Sequence, residues 1–398
     1  MVKQDKINKS FKALKIAGIT GYSFTVLLLL AACTSTNEWQ ADDNDVLLSP
    51  RIQMGENTTR SVIIGTDADP GKNQINKVEL FVTRNSDSYT VYTPNTNGLA
   101  TFVLGKDNGW TSDPGVGLSS EKARIFAFYP PVNDESTDFF ASATDEKHKI
   151  KVSIPAEQTF DGTKDWACSA MDYLYGSASG VAGKADPIIA DNGNEAGGVK
   201  PFSPEISMQH ALSFLVFYLE SKSGRDVDQT YDYVKEVRLS TTDDTNQFRI
   251  SGTLKEESTM QISDGTLALA KSKLLKFTAT TTQGTETTSQ LCGKASAPAL
   301  VAYGLVAPLD ASPSNLTLTV VLDKKDETTT NKRELSVTFS TPANTPKMWK
   351  KGNRYKYNLI LTDRDIAVKS TAITGWGEGW SDGDDKGDDS LYPDGLKP

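Results

Sequence analysis

Hydrophobic positions along most of the chain recur at every second residue. Val78, Leu80 and Val82 alternate with polar or outward positions in KVELFVT, and Ile150, Val152 and Ile154 do so in KIKVSIP. The same period appears at Leu316, Leu318, Val320 and Leu322 in LTLTVVLD and at Leu335, Val337 and Phe339 in ELSVTF. Successive side chains of a strand point to opposite faces, so this spacing predicts strands with one buried face. Two runs, ARIFAFYPP around Phe126 and ALSFLVFYLE around Phe214, are apolar at consecutive positions and predict strands covered on both faces. Clusters of Gly, Pro, Asn, Asp and Thr, such as TPNTNG, GKDNGWTSDPGVG and ADNGNEAGG, separate the runs. No extended amphipathic helical window accompanies them. The expected fold is all-β, built from short antiparallel strands packed as sandwiches.

A chain of 398 residues, 37% hydrophobic and 23% charged, exceeds one ordinary domain and has the composition of a folded protein. Two sandwich domains are expected, over residues 46–222 and 223–378, with the polar stretch SKSGRDVDQT (221–230) at the boundary. The start of the chain differs in kind. Lys3, Lys6, Lys9, Lys12 and Lys15 precede an apolar stretch from Ile16 to Ala32, the layout of a secretory signal over residues 1–32. Gly18, Thr20, Gly21, Ser23 and Thr25 interrupt that stretch, which is short for the ~20 apolar residues of a membrane span. Polar and acidic residues 33–45 form a tether, and residues 379–398, rich in Gly and Asp, have little to bury and form an acidic tail.

A net charge of −9 excludes a surface built to neutralise nucleic-acid phosphates. Of the three cysteines, Cys33 ends the apolar run; Cys168 and Cys292 form either one disulfide or two separate thiols. His148, in the polar stretch DEKHKI, is expected to face water, and His210 to be a satisfied residue beside the run ALSFLVFYL. The chain carries no nucleophile elbow, zinc-protease helix, phosphate loop or dinucleotide fingerprint. The acidic stretches SDGDDKGDD and DADPG lack the ligand spacing of an EF-hand loop. No catalytic residue, metal site or cofactor is expected, and the chain is not expected to be an enzyme.

Leu30-Ala31-Ala32-Cys33 resembles the lipobox of bacterial lipoprotein precursors, which implies lipidation of Cys33. Acyl chains there would hold the protein to a membrane, each buried methylene contributing about 0.8 kcal/mol. The stretch from Trp349 to Gly379, WKKGNRYKYNLILTDRDIAVKSTAITGWGEG, predicts a closing hairpin: Tyr355, Tyr357, Leu359 and Leu361 share one face, TDRD turns, and Ile366 and Val368 return. Together with AFYPP (127–131), MDYLYG (171–176) and MQHALSFLVFYL (208–219), it resembles fimbrillins and fimbrillin-like lipoproteins, the type V pilus subunits of anaerobic Gram-negative bacteria. That resemblance implies two tandem β-sandwiches of transthyretin-like form and a lipid-anchored precursor at the outer membrane. It further implies cleavage after an arginine, removal of the leading strand, and filling of the exposed groove by a segment of another fimbrial subunit. Here the leading strand falls in DVLLSPRIQMGENTTR, with Arg60 as the cleavage position and Arg51 as the less favoured one. The tail after Trp376 departs from a strand-forming donor, which favours a tip, accessory or non-polymerising component over a stalk subunit. A competing expectation is a surface carbohydrate-binding lipoprotein, with Trp39, Trp110, Trp166, Trp349, Trp376 and Trp380 as stacking platforms.

Overall fold

The computed structural model describes residues 46–375 except 56–62, 64, 69–73, 86–88, 93–97, 134, 143, 146, 161–167, 178–187, 194–202, 280–289, 312, 325–331 and 340–348. The signal, Cys33, the tether, Arg60, the acidic tail and Trp39, Trp166, Trp376 and Trp380 therefore lie outside the described residues. Among the described residues the chain is almost entirely β, with one helical turn at Glu135–Asp138 and a 3-10 turn at Lys255–Glu257.

The first large sheet has the order Arg51–Met54, Glu205–His210, Leu174–Ser177, Ala123–Tyr129, Lys77–Arg84, Leu99–Leu104, Trp110–Ser112, with Ile188–Ala190 added beside Ala123–Tyr129. Its pairings are antiparallel except the first, where Arg51–Met54 runs parallel to Glu205–Met208. The alternation in KVELFVT divides this sheet between two cores. Val78, Leu80 and Val82 are fully buried on one face with Ile125, Ala127 and Ile206, whereas Phe81, Phe126 and Phe128 belong to the core on the other. The consecutive apolar residues of ARIFAFY are thus explained by burial on both faces.

The second core lies largely between two further sheets. One runs Glu157–Phe160, Leu274–Ala279, Tyr233–Ser240, Leu316–Asp323, Arg333–Phe339; the other runs Ala299–Val306, Ser213–Ser221, Asn353–Leu361, Ile366–Gly375. In LTLTVVLD the buried Leu318, Val320 and Leu322 alternate with Thr317 and Thr319, whose hydroxyls bond Thr338 and Ser336 on the neighbouring strand at 3.1 and 2.8 Å. Gln158 closes a seam between the two sheets: its amide donates to Leu305 O at 2.5 Å and accepts from Leu305 N at 3.0 Å, as a peptide unit of an adjacent strand would. A small sheet, Phe139–Phe140, Lys149–Lys151, Ser258–Gln261, Leu267–Ser272, Phe248–Ile250, packs beside them.

Strand Ser213–Ser221 pairs with Ala299–Val306 and, in parallel, with Asn353–Leu361. Its partners all lie in the second half of the chain, so residues 221–230 connect two sheets that share one core. The chain visits the second group first with Phe139–Phe160, returns to the first sheet at Leu174–Ser177, and leaves that sheet for the last time at 210–213, without a long connection. Ala211 N donates to Tyr173 O, Gly352 N to Leu212 O, and Ser213 Oγ to Lys350 O. His210 Nδ1 lies 2.9 Å from Asp172 Oδ2, both side chains being buried. The connection at 221–230 is pinned by Arg225, whose guanidinium pairs with buried Asp232 at 2.7 Å.

His148 differs from expectation. It is fully buried, with ring centroids of Phe81, Tyr89 and Phe126 at 4.7, 5.5 and 4.9 Å around it. The polar neighbours that make DEKHKI look exposed form a turn: Asp145 accepts from Ser142 Oγ, and the Ser142 amide donates to His148 Nδ1 at 3.0 Å. Polarity of the flanking residues reports the turn and not the ring inside it.

Candidate functional site: the leading strand and its groove

The stretch from Val46 to Gly55 supplies the first sheet with its end strand. Val46–Leu47 pairs antiparallel with Gly117–Leu118, after which Leu48 N donates to Val116 O at 2.8 Å. Arg51–Met54 then lies along Glu205–Met208, framed by Arg51 N to Pro204 O and Gly55 N to Met208 O, both 2.9 Å. Period two decides which side chains anchor it. Arg51 and Gln53 are exposed, Ile52 is buried and Met54 is half-buried against the first core, and Leu48 is buried ahead of them. Burying Leu48 and Ile52 contributes about 1.5–3 kcal/mol each. The exposed pair Arg51–Glu205, at 4.0 Å, adds little, since such pairs contribute about 1 kcal/mol or less.

The other end of the sheet comes back to meet this strand. Trp110, in the last strand, is 3% exposed and donates its Nε1–H to Ile52 O at 3.1 Å. The sheet therefore curls until its end strands touch across one indole. A cleft of about 330 Å³ opens at that seam, between Pro50, Ile52 and Gln53 on one side and Asn108 and Trp110 on the other. A Cβ at Gly55, just past the strand, would fall 2.4 Å from Gln209 Nε2, so the Gln209 side chain would have to shift to admit one. Removing residues 46–55 would leave the backbone of 204–208 without its outer partner and bare the apolar surface around Ile206 and Trp110.

Of the two candidate cleavage positions, Arg51 starts the paired strand with its side chain exposed, and Arg60 lies outside the described residues, between Gly55 and Ile63. Ile63, three residues after Arg60 in sequence, is buried in the first core. Cys168 and Cys292 stand as separate thiols, the first half-buried and the second buried. Burial, reinforced by the nearby carboxylate of Asp232, pushes the Cys292 thiol up to about 12. Such a thiol is inert as a nucleophile at neutral pH.

The two described tryptophans do not offer stacking faces. Trp349, also 3% exposed, stacks on Phe248 with ring centroids 5.8 Å apart and donates its Nε1–H to Tyr357 Oη at 3.0 Å. Trp110 is committed to the seam. The hairpin Asn353–Leu361/Ile366–Gly375 forms as its alternation predicts, with Tyr355, Tyr357, Leu359 and Leu361 buried. Thr362 and Asp365 close its turn through mutual bonds of 2.8 and 2.9 Å, and Gly352, at φ +69°, gives the entry a left-handed residue. Sequence reasoning located the leading strand but not the Trp110 link, because nothing in GKDNGWTSDPGVG says which distant carbonyl the indole will find.

Among curated proteins none matches the chain. Several solved structures are similar to the chain at low identity. A candidate cell-adhesion protein from Bacteroides uniformis is 15% identical, with a TM-score of 0.44, covering 84% of this chain and all of that one. A fimbrial protein from Bacteroides vulgatus is 15% identical at a TM-score of 0.48, over 75% of this chain and 92% of that one. A candidate cell-adhesion protein from Bacteroides ovatus is 12% identical at a TM-score of 0.49, over 84% and 99%. The family model described as fimbrillin-like matches residues 59–376, from the edge of the candidate cleavage position to the tryptophan that follows the final strand. The chain belongs to the fimbrillin-like family.

Proposed function

We propose that this protein is a lipid-anchored subunit of a surface fimbria, structural or adhesive in role, whose leading strand is exchanged on assembly. Cys33 would carry the lipid, and the twelve residues 34–45 would span up to about 40 Å from membrane to fold if fully extended. Cleavage after Arg60 would free the segment that includes Val46–Gly55, and an extended segment of a neighbouring subunit would take its place beside Glu205–His210. A donated strand satisfies both unpaired backbone groups and bare core at once, which is why strand addition serves assembly.

The observation that carries this reading is the attachment of Arg51–Met54: one neighbouring strand, in parallel, plus a single indole hydrogen bond, at the end of a sheet otherwise antiparallel. Cleavage at Arg60 is favoured over Arg51, because a strand already paired must open before a protease can bind it in extended form. The carbohydrate-binding alternative draws no support from Trp110 or Trp349, both of which are buried.

Mass and N-terminal analysis of the protein isolated from cells tests the reading. A precursor population with acyl mass on Cys33 and an assembled population beginning at Ser61 are expected. An assembled form that begins at Cys33, with residues 34–60 intact, would refute processing at Arg60.

A further inference from the structure

A second cleft, of about 760 Å³, opens at the end of the second group of sheets, far along the chain from the leading strand. Its apolar floor is made by Leu267, Leu269, Leu309 and the edge of Trp349, and Arg249 and Lys350 stand at its rim. Neither of these two cationic side chains has a hydrogen-bond or ion-pair partner among the described residues. Glu256 and Asp310 also reach the rim, so apolar contact has to carry any binding, with charge setting orientation. The volume is in the range, roughly 300–1,000 Å³, that encloses a compact ligand.

The register of the last hairpin brings a specific occupant to this cleft. Gly375, the final described residue, pairs with Asn353, which itself lines the cleft. The chain therefore continues from the cleft wall. The next residues are Trp376-Gly-Glu-Gly-Trp380, followed by Asp382, Asp384, Asp385, Asp388 and Asp389. Two indoles separated by glycines supply large apolar area on a pliable backbone, and the acids that follow complement Arg249 and Lys350. Five extended residues reach about 16 Å, enough to cross a cleft of this size.

We propose that Trp376–Trp380 docks in cis in this cleft and that the aspartates after it lie across the Arg249 and Lys350 rim. The tail is then held against its own subunit and has to be displaced before it can contact another. This rests on the cleft and the register alone, and stands whether or not the leading strand is exchanged.

Hydrogen exchange on the full chain is the test, comparing the wild type with Trp376→Ser/Trp380→Ser and with Arg249→Glu/Lys350→Glu. Amides of 267–269, 307–310 and 349–351 are expected to exchange about tenfold faster in the tryptophan variant and a few-fold faster in the charge variant, with those of Ser213–Ser221 unchanged. Unchanged exchange at the cleft in the tryptophan variant overturns the proposal; so does protection that rises with protein concentration, which would mean a second copy. As a measurement independent of variant folding, a zero-length carboxylate–amine cross-linker on the wild-type monomer is expected to join Lys350 to a residue within Asp382–Asp389. Failure to form that link while exposed pairs such as Lys273–Asp244 do link would equally overturn it.

Discussion

Ile52→Asp is expected to loosen the leading strand and lower the stability of the first core by roughly 4 kcal/mol, combining the lost burial of one large aliphatic side chain with an uncompensated carboxylate in an apolar site. Ile52→Val should cost only about 1 kcal/mol, because the strand keeps its backbone pairing and most of its buried area. The exposed neighbours Arg51 and Gln53 point away from the core, so Gln53→Asp, one residue along, should change stability by less than about 0.5 kcal/mol. Urea unfolding followed by tryptophan fluorescence separates these cases, since Trp110 bonds the carbonyl of residue 52 itself. Equal effects at positions 52 and 53 would mean that the strand is not held by the alternation described above.

The second large effect concerns pH. Burial among Phe81, Tyr89 and Phe126 pushes His148 down from 6.5 to about 4, nearby Arg124 acting in the same direction and Asp145 against it. Burial likewise pushes Glu79 up from 4.5 to about 7, with Glu135 reinforcing it and the hydrogen bond from Thr101 opposing it. The two act with opposite sign. For His148 the unfolded chain binds the extra proton between about 6.5 and 4, so its contribution is present above 6.5 and is lost as pH falls to 4. For Glu79 the folded chain holds the extra proton between about 4.5 and 7, so its contribution is present below 4.5 and is lost as pH rises through 7. Each shift corresponds to about 3 kcal/mol over its window. The wild-type protein should therefore show little net slope from these two groups between pH 4.5 and 6.5. Glu79→Gln should expose a stability that rises with pH across that window, and His148→Phe one that falls. Parallel slopes in both variants would contradict the assignment.

Alternation carried most of the fold. Where one face of a strand is buried, period two is forced by geometry, so LTLTVVLD and the Tyr355–Leu361 face could be placed from sequence alone. The doubly apolar runs at Phe126 and Phe214 were legible for the same reason, since only burial on both faces accounts for them. What was not legible is which strands meet. Ser213–Ser221 pairs in parallel with Asn353–Leu361, and nothing in either run encodes that choice; it is fixed by how whole sheets pack. The short connection between two sheets at 210–213, made of Ala211 and Leu212, has no loop composition and so leaves no mark in the sequence. His148 was misplaced because neighbouring polarity describes a turn's surface and not the residue it covers. In the site, the leading strand was placed by the family resemblance, whereas its closure by Trp110 depends on tertiary curvature.

Under the proposed strand exchange the two halves of the protein would have different roles. The second group of sheets is closed at its seam by Gln158 and at its connection by Arg225 and Asp232, and it contains the strands with the most extensive pairing. The first sheet ends in a short parallel strand with one buried side chain, Ile52, and one half-buried, Met54. An exchange confined to that strand would leave the larger core intact.

The most direct test uses the protein cleaved after Arg60, stripped of the released segment and then supplied with a synthetic peptide of residues 46–55. The stripped chain should retain the unfolding transition of the second core, lose stability in the first, and bind the peptide one to one with recovery of that stability. A stripped chain as stable as the intact one, with no affinity for the peptide, would contradict the account.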